Sequence, residues 1–194
     1  MKSHRLEAFS DGVLAIIITI MVLEFHVPEG TSFYALLILV PKVISYTLSF
    51  IYLGIYWNSH HHIFQIIEKV NGKILWANLN LLFWLSLLPF ATAWMGENRF
   101  EKHPVALYGA VLFMAAVSFR ILEIAAISLE GEGSKIYKAL KAGMKEKLST
   151  VGYLIGIVLA FYFPYISLGI FYGIALFWVV PDKRIEKEVE KKSG

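Results

Sequence analysis

Cysteine is absent from the 194 residues of this chain, which excludes disulfide frameworks, cysteine-ligated zinc, iron–sulfur clusters and thiol catalysis, and leaves the redox compartment open. Charge is scarce too: Asp, Glu, Lys and Arg make up 17% of the residues, against 57% that are hydrophobic, and the mean hydropathy is +0.61. A soluble domain of this length has no use for so much apolar surface. The chain reads as a membrane protein, whose packing problem is one of helices in lipid. Its net charge of +3 resides in loops and tails between apolar segments, so it speaks for a membrane surface and against nucleic acid. Lys2 and Arg5 before an apolar run imitate a signal peptide, but Glu7 and Asp11 interrupt the pattern and no small-x-small cleavage site follows. The run is expected to stay as a mature transmembrane helix.

Six apolar segments follow one another, at 8–25, 33–57, 75–95, 105–128, 148–163 and 165–180, each near the ~20 residues that cross a hydrocarbon core. The last two are separated only by Phe163-Pro164-Tyr165, so one kinked helix or a re-entrant hairpin is the alternative there. Basic residues arbitrate, because cytoplasmic loops are rich in Lys and Arg. With six spans and both termini inside, Lys2, Arg5, Lys69, Lys73, the run from Lys135 to Lys147 and the tail from Lys183 all face the cytoplasm. Only Arg99 and Lys102 lie outside, while Lys42 and Arg120 fall within spans. A single final span would put the basic tail outside and break that bias. Residues 129–147 begin as a Gly-rich linker and continue as a basic, partly amphipathic helix suited to anionic head groups. The charged tail, 182–194, is expected to be a frayed helix or disordered. No three-plus-three internal repeat is visible.

Familiar chemistry is mostly missing. Ser10 lies beside Asp11, but no G-x-S-x-G elbow accompanies it. His60, His61 and His62 are adjacent, and helical neighbours point ~100° apart, so three imidazoles in a row cannot converge on one metal ion; interfacial hydrogen bonding is the expected use. Thr150-Val151-Gly152-Tyr153 imitates the TVGYG filter of potassium channels, but Leu154 stands where the second glycine belongs and a Lys-rich segment replaces the apolar pore helix. The imitation is read as an ordinary span. Lys42, Glu24, Arg120 and Glu123 are ionisable residues in or near spans. Arg120 and Glu123 have i, i+3 spacing suited to a pair, and Glu24 and Lys42 can reach the outer interface.

On a helical wheel of the first segment, Ile16, Ile20 and Leu23 fall within ~60° of one another, flanked by Thr19, Gly12, Phe9 and Arg5. Asp11 points elsewhere, with Ile18 and Val22, and Ser10 lies on a third face beside Ile17 and Met21. An Ile/Leu stripe of this kind, taken alone, serves lipid contact or helix packing as readily as a pore.

The stretch Arg5-x-x-x-Phe9-Ser10-Asp11 resembles the R-x-x-x-F-S-D signature that opens the first helix of the transmembrane protein 175 family of potassium channels. Trp57-x-x-His60 with Phe64 is similar to the polar end of that family's second helix, and Trp76-x-Asn78 leading to Pro89-Phe90 to its third. Specific motifs cover about the first 90 residues; the second half matches in hydropathy alone.

The resemblance implies an all-α integral membrane protein, six transmembrane helices per subunit with cytoplasmic termini, assembled as a homotetramer in which the first helix lines a central pore. It implies a pore constriction at Ile16, then Ile20 and Leu23, a pore-facing Thr19, and no TVGYG filter. Arg5, Phe9, Ser10, Asp11, Trp57, His60 and Asn78 become a polar network of the signature, with Asp11 and Ser10 anchoring the pore helix to the second and third. The expected function is a passive cation channel modestly selective for potassium, in a prokaryotic plasma membrane. Its expected partners are potassium ions, the bilayer and further copies of itself, with no nucleic acid, cofactor, resident metal or enzymatic activity. The runner-up is a small proton- or cation-coupled transporter, which would show saturation and stoichiometric coupling.

Overall fold

Pro28 and Gly30, the latter at φ +99°, close the first apolar run, because neither a ring-locked residue nor a left-handed backbone continues an α-helix. The computed structural model describes residues 3–67, 69–131 and 143–179. Helix α1 spans Ser3–Leu23. A 3-10 helix, Phe33–Leu39, leads into α2, Val40–Ile66, which has Pro41 in its first turn, where a missing N–H costs nothing. Helix α3, Gly72–Ser86, is capped by the Asn71 side chain, which accepts from the Ile74 N–H. Helix α4, Leu88–Glu97, continues it after a bend at Leu87, next to Pro89. Helix α5 is Lys102–Glu130, α6 is Met144–Ala160 and α7 is Pro164–Val179.

The chain is an all-α, multi-pass membrane protein. Four stretches are long and apolar enough to cross a bilayer: Ser3–Leu23, Phe33–Ile66, Gly72–Glu97 and Lys102–Leu129. Helices α6 and α7, of 17 and 16 residues, are shorter, at ~24–26 Å by the helical rise. They are not one kinked rod. A turn at Phe161–Phe163 reverses the chain, and the two pack side by side, Gly152 against Ile174 and Gly156 against Phe171.

Boundaries shift from those hydropathy suggests. The second helix runs past Trp57 to Ile66, because His60 and His61 find buried partners, described below, so the helix continues where the apolar run stops. The basic run at 135–141 and the tail at 182–194 lie outside the described residues.

Helices α2 and α5 are central. α1 packs on α2, α3 and α4, whereas α6 and α7 pack on each other, on α5 and, through α7, on α2. A ring cluster fills the second half: Tyr108 and Tyr153 stand against Phe171 at centroid distances of 6.1 and 6.4 Å, and Tyr52 against Tyr153 at 6.3 Å.

Candidate functional site

One side of α1 is buried: Ser3, Leu6, Glu7, Ser10, Leu14, Ile17 and Met21 recur at steps of three and four and face the same chain's α2, α3 and α4. The opposite side is open. Ile16 is 58% exposed, Ile20 40% and Leu23 78%, and Phe9, Gly12 and Thr19 are exposed along the same strip. Thr19 donates its hydroxyl proton to the Ile16 carbonyl at 2.9 Å, so the oxygen's remaining capacity toward the outside is to accept. Beside the strip runs an open groove of ≈ 560 Å³ bounded by Ile16, Ile20, Glu24, Ser86, Pro89 and Phe90.

Polar bonds hold the other faces. Trp57 Nε1 donates to Asp11 Oδ1 at 3.0 Å. Asn78 Nδ2 donates to Ser10 Oγ at 2.9 Å, and Ser10 passes its own proton to the Leu6 carbonyl at 2.9 Å. His60 Nε2 lies 2.7 Å from Asn78 Oδ1; the amide oxygen only accepts, so the imidazole donates there. A directional chain thus runs from His60 through Asn78 and Ser10 into the backbone of α1, with every member but Leu6 fully buried. His60 also stacks on Phe64, ring centroids 4.5 Å apart.

Five of the signature residues, Ser10, Asp11, Trp57, His60 and Asn78, are therefore brought together. Arg5 and Phe9 are not: both are exposed on α1, outside this set of bonds. Of the consecutive histidines, His60 turns to Asn78 and His61 to Glu7 Oε1 at 2.8 Å. Among the described residues no group of three or more His, Cys, Asp or Glu could hold a metal ion. Residues 150–154 are α-helical, so their carbonyls are turned into the helix and away from any ion. Arg120 donates to Glu123 at 2.7 Å, and Lys42 pairs with Glu97 at 2.9 Å.

Two groups escape a reading of the sequence. Glu7 takes His61 and stands 3.4 Å from His4, and Gln65 Nε2 reaches His61 Nε2 at 2.8 Å; the available signal was that Glu7, Ser10 and Leu14 share a helical side. Ser49, Thr92 and Tyr108 form a buried hydroxyl cluster, Ser49 Oγ lying 2.6 Å from Thr92 Oγ1 and 3.0 Å from Tyr108 OH. Hydroxyls scattered over three helices leave no signal in sequence.

A family model described as the endosomal/lysosomal potassium channel TMEM175 matches residues 5–89, a stretch that holds the strip and every member of the polar chain. A protein of Chryseobacterium sp. (strain P1-3) named as a potassium channel is 56% identical over 191 residues, 98% of this chain and 100% of its own length. The crystal structure of a lysosomal potassium-selective channel TMEM175 homolog from Chamaesiphon minutus has a TM-score of 0.80 at 27% identity, covering 92% of this chain and 96% of that one. The Danio rerio protein named endosomal/lysosomal proton channel TMEM175 is 29% identical over 121 residues, 60% of this chain but only 22% of that protein.

Proposed function

The chain belongs to the TMEM175 family of potassium channels, and from that premise we propose how its parts conduct: four copies surround an axis, each contributing α1 to a common pore. It is an ion channel, not an enzyme. Both termini lie in the cytoplasm of a prokaryotic cell and the six rods of each chain cross its plasma membrane, α3 and α4 counting as one. Ile16, Ile20 and Leu23 of the four copies form successive apolar rings. Such rings offer potassium no ligands, so the ion passes with much of its hydration shell, and a ring this apolar closes by dewetting. Thr19, its proton already given to the Ile16 carbonyl, presents a ring of four acceptor oxygens that hold first-shell water and favour the ion whose shell rearranges more easily. Selectivity built this way is modest.

The observation that carries this reading is the division of α1. Its Ser10 and Asp11 are fastened to α2 and α3, while Ile16, Ile20 and Leu23 are left exposed by the chain's own fold. A helix that only filled a bundle would not need its rotation fixed by an ionisable group at the edge of the bilayer.

The test is flux. Purified protein in liposomes passes potassium down its gradient with no coupled ion, sodium and protons being measured alongside, and Ile16→Trp abolishes that flux at unchanged protein yield. Coupling of fixed stoichiometry, or full flux through Ile16→Trp, defeats the reading.

A further inference from the structure

The run from Leu148 to Pro181 carries no Asp, Glu, Lys, Arg or His, and it is too short for two crossings of ~20 residues with a turn between them. The fold shows how the crossings are made with so little chain. On the open side of α6, Val151, Leu154 and Val158 are exposed and form a stripe at steps of three and four. Lys147, exposed on the same side, ends the stripe at the start of the helix, and Phe161 and Tyr162 of the turn end it at the other. From Leu148 to Phe161 the stripe is ~20 Å high, and α7 from Tyr165 to Trp178 is no taller at ~20 Å. The hydrocarbon core of a typical bilayer is ~30 Å thick.

The pair has no slack at either end. At the turn, the Tyr165 hydroxyl reaches the Arg99 carbonyl at 3.4 Å, the Tyr165 ring meets that of Phe100 edge-on at 6.1 Å, and Phe161 meets His103 at 6.0 Å. At the opposite end, Lys145 Nζ donates to the Phe177 carbonyl at 3.2 Å and Trp178 Nε1 to Ser149 Oγ at 2.8 Å. Tilting lowers the pair further. The long helices repeat the measure: α5 begins at Lys102 and places Arg120, which lines a cavity with Glu146 and Trp178, ~27 Å further on, and Lys42 and Trp57 of α2 lie ~22 Å apart. The apolar belt is thin all round and thinnest along α6 and α7. We propose that this side of the protein is matched to a hydrocarbon layer of ~20–25 Å, and that the partner it fits is phospholipid with short acyl chains. In a thicker bilayer the lipid beside α6 must thin, at a cost that grows with the mismatch.

Nanodiscs of phosphatidylcholine with acyl chains of ~14, ~18 and ~22 carbons test the match, and neither readout involves conduction. The melting temperature of the full chain is highest in the shortest lipid and falls as the acyl chains lengthen. Lys147→Leu joins the stripe to the exposed Met144, adds ~6 Å to its height, and moves the maximum to longer acyl chains. A maximum at ~18 carbons or beyond in the unaltered protein, or an unmoved maximum in Lys147→Leu, overturns the proposal. A second measurement reads the lipid beside α6 without changing the height of the stripe. A bimane is attached to Leu154→Cys, midway along it, in bilayers that mix ~14-carbon and ~22-carbon lipids with bromine on the acyl chains of one lipid at a time. The brominated short lipid quenches the bimane about two- to threefold more than its share of the mixture requires. Quenching in proportion to the mixture overturns the match. Quenching by neither lipid shows that protein covers α6, and overturns it too.

Discussion

Asn78 is the residue on which the buried chain turns, since it accepts from His60 and donates to Ser10. Asn78→Ala removes both partners at once. Ser10 keeps its bond to the Leu6 carbonyl, but the His60 N–H is stranded in a buried site, a loss of about 1–2 kcal/mol once the smaller worth of hydrogen bonds between membrane helices is allowed for. Thermal unfolding in detergent should report that loss, with Asn78→Asp retaining more of the stability than Asn78→Ala. Asp11→Ala, by contrast, unties the exposed Trp57 of α2 from α1, so assembly and yield should fall before ion preference moves; unchanged yield with altered preference would show that Asp11 acts on ions directly. For Thr19, selectivity is the readout. Thr19→Val keeps the shape and removes the acceptor, and the potassium-to-sodium permeability ratio should drop, whereas an unchanged ratio rules the hydroxyl ring out. At this scale the sequence exposes the cast but not the pairing. An Asp, an Asn and a His in apolar runs have few ways to be satisfied, so their association could be argued in advance. That Trp57 meets Asp11 while His60 reaches Ser10 only through Asn78 depends on the relative rotation of three helices, which no local pattern encodes.

Among the helices, one close fit is the ring of Phe171 on α7, held between two glycines. A Cβ on Gly109 of α5 would stand 2.5 Å from its Cζ, and one on Gly156 of α6 would stand 2.5 Å from its Cε1. The ring cannot retreat from either without striking the other, which is how small residues let membrane helices approach. Gly156→Ala should therefore destabilise by about 1–3 kcal/mol through overpacking, more than the ~1 kcal/mol that alanine returns in helix propensity. Gly152→Ala offers the contrast: its Cβ would meet the flexible end of Ile174, Cδ1 at 2.9 Å, and should come out neutral or mildly stabilising. Thermal denaturation of both variants, with Phe171→Leu added to form a double-mutant cycle, checks the assignment; Phe171→Leu must recover part of the loss in Gly156→Ala and none in Gly152→Ala. The existence of α6 and α7 was legible in hydropathy, but their antiparallel pairing rested on counting basic residues, and the glycine–phenylalanine contact that joins them was invisible. The second helix shows the same limit from the other side: hydropathy ends it near Trp57, and the structure carries it to Ile66 because the polar residues beyond are hydrogen-bonded within the protein.

For the molecule as a whole, the open question is what covers the strip on α1, and the absence of cysteine makes it answerable. A single cysteine placed in an otherwise cysteine-free chain reports one neighbour without background. If four copies meet along α1, Leu23→Cys chains in intact membranes lie within reach of one another and a short bis-maleimide should convert them to dimers, the largest product one thiol per chain allows. Val158→Cys, on the exposed side of α6 at 61% exposure, faces lipid in that arrangement and should stay monomeric under the same treatment. A strip that merely faced lipid would make the two positions behave alike, so equal and low cross-linking at both excludes the axial assembly. The mass of the detergent-solubilised protein supplies the number of copies, each being 22.0 kDa. The two measurements fail differently. A tetramer whose Leu23→Cys chains do not cross-link is an assembly built on another face, whereas a cross-linked dimer with no larger species is a pairing of two α1 helices, which cannot enclose a water-filled path.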